Sequence, residues 1–293
     1  MKRLIIERDD KWGILELQNA ILNIAKYVDE ICKKHNIHYY LMGGSALGAV
    51  RHGGFIPWDD DLDIFMTPQN YEKFKTAFKA EGDLNRFYLQ ERGGVTGKTT
   101  YSKLRLNHST YLEHDIKDLD INHGIYIDIF ILHTSPNNIF KRIWQYAWAK
   151  YIVAKGLSNR TQYSTKGASQ ILLWILAKFP KRFLIEYALK QVYRFSNEES
   201  EYYCHFLGRA RYKTGLYKRA YFGKPRYMQF EKTELSVPEF VEDYLRDRWG
   251  DYMKLPSQEE ILKYQHAWKW SVSEVFPGYR PDAQYKDELA LLP

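Results

Sequence analysis

The segment that most limits what this chain can be is Asp61-Leu62-Asp63-Ile64-Phe65-Met66, which follows two glycine pairs, Gly43-Gly44 and Gly53-Gly54. Side chains on a strand alternate between faces, so Leu62, Ile64 and Met66 share one side and Asp61 and Asp63 the other. Four of the five residues from Asp59 to Asp63 are aspartates, which crowds negative charge at this point. Neighbouring carboxylates raise each other's pKa and are costly to bury unpaired. A divalent cation removes that cost, and Mg2+ favours one or two carboxylates together with phosphate oxygens and water. The segment predicts a strand that presents metal ligands to a phosphorylated substrate.

The flanking sequence supplies compatible parts. Leu17, Ile21, Ile24, Val28 and Ile31 recur at helical spacing and predict an amphipathic helix from Gly13 or Ile14 to Lys34. Residues 38–42 read as a strand that stops at Gly43-Gly44, and Ser45 can cap a short helix from Ala46 to Arg51. A strand, a glycine turn and a helix start place backbone N–H groups where a phosphate can sit, although such turns also serve tight chain reversal alone. Thr67-Pro68 opens another helix with Thr as cap and Pro in the first position. Phe87 to Gln90 reads as a strand, Gly93 to Gly97 as a loop, and Thr99 to Leu106 as a strand with Tyr101, Lys103 and Arg105 on one side. Two cations on one strand face are either a solvated edge or anion ligands. Gly124 to Leu132 is the most apolar strand, yet Asp128 stands on the face opposite Ile125, Ile127, Ile129 and Ile131. A carboxylate there needs a partner: a structural cation, or the metal set by Asp61 and Asp63.

Charge divides the chain. Between Ile139 and Arg194 there are eleven Lys/Arg against one acid, Glu186, so this stretch alone carries about +10 while the whole chain carries +7. It also carries Ile143, Trp144, Ala147, Trp148 and Tyr151 at helical spacing and the apolar run 171–177. It reads as a basic, aromatic helical insert that faces either an anionic membrane surface or solvent. Beyond it, Arg226 to Leu235 is expected to hold a strand containing Glu231. Pro238 is expected to start a helix with Phe240, Val241, Tyr244 and Leu245 inward, ended by Gly250, and the region from Trp268 is read as irregular. The expected organisation is a catalytic core over 1–135, the basic insert over 136–220, and a segment over 221–293 that packs back on the core. Two cysteines, Cys32 and Cys204, argue against a disulfide framework. No secretory leader or spanning run is read in the sequence, so the expected location is cytoplasmic and peripheral on the inner face of the cell membrane.

A glycine turn, Asp-x-Asp on one strand, a lone Asp on a later strand and cations on a strand between are the parts that phosphoryl and nucleotidyl transfer need. Their order is similar to the nucleotidyltransferase superfamily, with an extra stretch holding Arg51-His52-Gly53-Gly54 and Pro57-Trp58. In that stretch GGSALGAVRHGGFIPWDDDLDIF closely resembles the LicD family, the bacterial phosphorylcholine transferases related to fukutin-type ribitol-phosphate transferases. Lys103-Leu-Arg105 with Thr110, GIYIDIF with Asp128, Phe230-Glu231 through Val237-Pro238 to Tyr244-Leu245, and GDYMKLP over 250–256 extend the resemblance. It implies an α+β fold with a nucleotidyltransferase-like mixed β-sheet flanked by helices. It also implies transfer of phosphocholine from CDP-choline to a sugar hydroxyl of a teichoic acid precursor or lipopolysaccharide, the acceptor being lipid-linked.

On that resemblance Asp61, Asp63 and Asp128 bind Mg2+, or Mn2+ in its place, and Asp128 also serves as base toward the acceptor hydroxyl. Lys103 and Arg105 hold phosphates, and Gly44 and Ser45 offer donors to the nucleotide. His52 orients a carboxylate or is structural. Asp59 and Asp60 stand behind the ligands or are turn acids, Asp60 an exposed one. Trp58, Tyr126 and Tyr252 are candidates for a choline cage, because aromatic faces attract quaternary ammonium. Glu231 and Asp251 lie in the matching motifs with roles open. Ribitol phosphate or glycerol phosphate from another CDP donor is the alternative cargo. A non-catalytic nucleic-acid binder using the basic stretch leaves the three aspartates unexplained, so no nucleic-acid partner is expected. Nucleotidyl transfer to an antibiotic or RNA does not account for the extra stretch.

Overall fold

The computed structural model describes residues 10–91, 101–113, 117, 121–158, 182–208, 210–261 and 266–279. The expected loop over 93–97 and the apolar run 171–177 lie outside them. The protein mixes helices with a mixed β-sheet. The first helix, α1 (Leu15–Lys34), buries Leu17, Ile21, Ile24, Val28 and Ile31, the stripe its spacing predicts. It is followed by β1 (Tyr40–Leu41), α2 (Gly43–Arg51), β2 (Asp63–Met66) and α3 (Pro68–Glu81). Thr67 caps α3, its hydroxyl accepting the Asn70 N–H, with Pro68 in the first turn.

The central sheet has five strands, completed by β3 (Phe87–Gln90), β4 (Ser102–Leu106) and β6 (Tyr126–Ile131), in the order β1-β2-β6-β4-β3. Only β2 and β6 run parallel; the other pairs are antiparallel. One sheet face carries Leu62, Ile64, Met66, Leu104, Ile127 and Ile129, each at most 1% exposed, and α1 and α3 cover it. The opposite face carries the polar residues considered below. Both cations of β4 therefore lie inside the sheet, which overturns the solvated-edge reading.

A second, smaller core sits further along the chain. After β7 (His133–Ser135), α4 (Ile139–Ser158) and α5 (Arg182–Tyr193) pack on each other and enclose Ala149, Ile152, Ala188, Leu189 and Val192. Cys204 and Phe206 join this cluster, Cys204 from β8 (Tyr202–Cys204), which links β7 to β9 (Leu216–Lys218).

The last third differs from expectation in three places. Arg226 to Leu235 is a hairpin of β10 (Arg226–Phe230) and β11 (Thr233–Val237), with Glu231 in the connection at φ +58° and not within a strand. The following helix, α6 (Val241–Trp249), buries Val241, Tyr244 and Leu245 but leaves Phe240 half exposed outside its first turn, and Gly250 ends it at φ +66°. After the short α7 (Gln258–Ile261), the region read as irregular holds β12 (Ala267–Ser271), which pairs with β5 (Thr110–Glu113). Its tryptophans hid the alternation, because strand pairing here joins segments about 155 residues apart.

Candidate active site

The site begins with strand register. Lys103 on β4 stands opposite Asp128 on β6, and Asp128 stands opposite Asp63 on β2. Three adjacent strands thus place a cation and two carboxylates in one row across one face, at the sheet spacing of about 4.8 Å. The Nζ of Lys103 lies 2.8 Å from Asp128 Oδ1 and 3.4 Å from Glu113 Oε1. Burial pushes Asp128 up to about 6, opposed by the Lys103 ammonium. Burial also pushes Glu113 upward, but Lys103 and Arg105 outweigh it and hold Glu113 at about 2.

Asp61 precedes β2, and its backbone neighbour Leu62 continues the ladder by accepting the Asp128 N–H at 3.0 Å. Burial raises Asp63, and Asp61, Asp128 and Asp59 raise it further. Asp59 is raised by burial and by Asp61 and Asp60. Asp61 is raised by burial against the lowering field of His266, whose Nε2 lies 3.6 Å from Asp61 Oδ2. Each carboxylate therefore resists ionisation first because it is buried, and then because other carboxylates are close.

The start of α2 borders this cluster. Gly43 enters at φ +54° and donates its N–H to the Tyr244 hydroxyl at 3.0 Å. A Cβ on Gly44 would stand 2.8 Å from Asp59 Oδ2, so glycine there admits the carboxylate. Ser45 is not the cap that its sequence position suggested. The helix already starts at Gly43, and the Ser45 hydroxyl accepts the Asp63 N–H at 2.9 Å, tying α2 to β2. The amides of Gly44 and Ser45 fall in the first helical turn, where no intrahelical acceptor reaches them.

Other expected site residues have structural surroundings. Arg105 is fully buried and donates to Gln90 Oε1 at 2.7 Å and to the Gly124 carbonyl at 2.9 Å, which braces β4, while its second terminal nitrogen is buried with no hydrogen-bond partner among the described residues. The Lys103 ammonium lies over the Tyr126 ring at 3.2 Å from its centroid, which covers a face that a choline cage would need. Trp58 is buried between Trp12 and His52, and His52 Nε2 accepts the Arg51 Nε–H at 2.9 Å. Tyr252 is buried, and its carbonyl accepts from Arg51 at 2.8 Å. Glu231 accepts the Phe55 N–H at 2.8 Å and donates its own N–H to the Gly53 carbonyl, clamping the second glycine pair. Its carboxylate fills the space that a side chain on Gly54 would need. Asp251 is exposed in the turn after α6.

Asp60 corrects another expectation. It is 1% exposed, and its Oδ2 accepts the N–H groups of His266 and Ala267 at 2.8 and 2.9 Å. A carboxylate read as an exposed turn acid instead anchors β12 and brings His266 to Asp61. Glu113 and His266 were not singled out from sequence. The alternation of Tyr111 and Glu113 could have flagged the first, whereas nothing local to His266 signals its position.

The chemistry of this donor set suits a divalent cation: Asp59, Asp61, Asp63 and Asp128 lie close enough to act on one another, and each is held away from its ionised form. Among the described residues, however, no three acidic, histidine or cysteine side chains form a ready-made ligand cage. Asp128 in particular is engaged by Lys103.

The protein is thus a mixed-sheet α/β protein with a carboxylate cluster, an adjoining lysine and a helix start on one side of its sheet. Residues 36–162 match the LicD/FKTN/FKRP nucleotidyltransferase domain, a span that contains Asp59, Asp60, Asp61, Asp63, Lys103, Glu113 and Asp128 but not His266. The chain is 26% identical over 274 residues to the lipopolysaccharide cholinephosphotransferase LicD of Haemophilus influenzae, covering 85% of this chain and 95% of that protein. It is 29% identical over 111 residues to the human ribitol 5-phosphate transferase FKRP, and 47% identical over 100 residues to the mouse protein of that name. Those stretches cover 37% and 33% of this chain but only 22% and 20% of the FKRP proteins. The chain carries a LicD-family domain and is related to the fukutin-type proteins.

Proposed function

We propose that the protein is a phosphotransferase that moves phosphocholine from CDP-choline to a sugar hydroxyl of a lipid-linked glycan, either a lipopolysaccharide or a teichoic acid precursor. The observation that carries this reading is the in-register row of Lys103, Asp128 and Asp63 beside the start of α2. Similarity over nearly the full length of the Haemophilus protein supports the reaction class. The central sheet is proposed to be of the nucleotidyltransferase type, with residues 136–220 as an insert between the core and the C-terminal segment.

Asp61 and Asp63 would hold Mg2+, or Mn2+, with Asp128 or Asp59 completing the set. When bound, the ion offsets negative charge on the transferred phosphate. The amides of Gly44 and Ser45 lie where a helix start favours an anion, and they are proposed to receive the donor phosphates. Lys103 keeps Asp128 close to the row. Asp128, raised to about 6, is suited to accept the proton of the acceptor hydroxyl. Lys103 and the helix start are proposed to bind phosphate, with the buried second terminal nitrogen of Arg105 behind them.

One observation favours a second reading, ribitol or glycerol phosphate as cargo. Trp58, Tyr126 and Tyr252 are all packed into the protein, and Lys103 covers one face of the Tyr126 ring. A polyol needs hydrogen-bonding groups where choline needs open aromatic faces. Transfer assays with CDP-choline, CDP-ribitol and CDP-glycerol, each with and without Mg2+, separate the two. Turnover of CDP-choline alone supports the first reading, and turnover of a polyol donor alone replaces it.

A further inference from the structure

Six of the thirteen large apolar side chains left exposed among the described residues lie on one helix pair. They are Ile139, Phe140, Ile143 and Trp144 on α4, and Phe183 and Tyr187 on α5, with Phe140 79% and Phe183 64% exposed. The pair already has a packed side, formed by Ala149, Ile152, Ala188, Leu189 and Val192. Trp148 joins the helices by meeting Trp144 and Tyr187 edge-on at 5.6 and 5.1 Å. The outward aromatic side is thus additional to what the small core requires.

Nor is this side a frayed end. Asn138 Oδ1 accepts the N–H groups of Phe140 and Lys141 at 3.0 and 3.1 Å, capping α4. Arg142 donates to the carbonyls of Pro136 and Asn137, and its guanidinium lies over the Tyr202 ring at 4.1 Å. The first turn of α4 is pinned with Phe140 outward. Exposed Lys141, Lys190 and Arg194 lie on or beside the same helices, Lys141 at 3.9 Å from Glu198 Oε1. No helix among the described residues is long and apolar enough to cross a membrane.

We infer that the outer face of α4 and α5 docks on an anionic lipid bilayer, with Phe140 and Phe183 entering the headgroup boundary and the flanking cations meeting anionic headgroups. Large apolar side chains on a rigid helix, bordered by cations and lacking a spanning segment, are what such an interface selects. A protein partner of ordinary acidity would satisfy the cations but would have to match six protruding apolar groups. A bilayer accepts them without shape complementarity. The inference stands apart from the transfer reading, because binding to vesicles needs neither donor nor metal.

The test is co-sedimentation of the full chain with phosphatidylcholine vesicles, with and without phosphatidylglycerol, across a salt series. Binding should require the anionic lipid and weaken as salt rises. The double variant Phe140→Ser/Phe183→Ser should bind the anionic vesicles about tenfold or more weakly while melting at the wild-type temperature, since both rings are exposed. Absence of wild-type binding, or wild-type binding by the variant, overturns the inference. So does a wild-type dimer that the same double variant converts to monomer, which would assign the face to a second copy.

Discussion

Single side chains decide the electrostatics of the pocket. Asp63 is raised by burial and by Asp61, Asp128 and Asp59, so it is destabilising when ionised without a cation. In chelator, Asp63→Asn is therefore expected to melt at or above the wild-type temperature, while losing the stabilisation that Mg2+ gives the wild type. Thermal melts with and without Mg2+ check both halves, and an unchanged metal response would remove Asp63 from the ligand set. Gly44→Ala is expected to impair transfer, because its Cβ must displace the Asp59 carboxylate from 2.8 Å. His205 gives a pH signature away from the pocket. Burial, with the fields of Arg248 and Lys150, pulls it down to about 3, and its ring packs on Phe65 and Phe130. Its folded pKa lies below the unfolded value near 6.5, so the unfolded chain binds the proton more readily as pH falls. Its contribution is complete above about pH 6.5 and is lost below it, at about 1.4 kcal/mol per pH unit. Chemical denaturation between pH 7 and 5 should show this loss, and His205→Phe should flatten it.

At the scale of elements, β4 matters more than its residue pattern suggested. Lys103 is the cation for two buried or half-buried carboxylates, Asp128 and Glu113. Lys103→Met should therefore destabilise the fold by about 3–5 kcal/mol, the range for stranding a buried charge, in addition to any loss of donor binding. Urea unfolding measures it; an unchanged midpoint would mean the pair is solvated. What could be read from sequence follows the range of the forces involved. The stripe of α1, the Thr67-Pro68 helix start and the alternation around Asp63 and Asp128 are set by neighbours within a few residues, and the structure has them, although the strand expected from Asp61 begins only at Asp63. Burial of Arg105, the clamp from Glu231 to Phe55 and the seat of Asp60 depend on contacts across the chain. No local period encodes those.

The whole molecule closes the pocket from both ends of the chain. The family match stops at residue 162, yet β12 pairs with β5, and Asp60 holds the residues that bring His266 to Asp61. Ending the chain before His266 should thus expose β5 and Glu113, lower stability and reduce transfer together, as melting and activity assays would show. Asp60→Asn, which retains an acceptor for the two N–H groups, should be much milder. On the proposed function, the carboxylates around Asp63 bind a divalent cation together with a CDP-linked donor. Isothermal titration of CDP-choline into the wild type and Asp61→Asn, with and without Mg2+, should show donor binding that is strong only with Mg2+ and is lost in the variant. Equal binding in chelator, or an unaffected variant, would rule that site out.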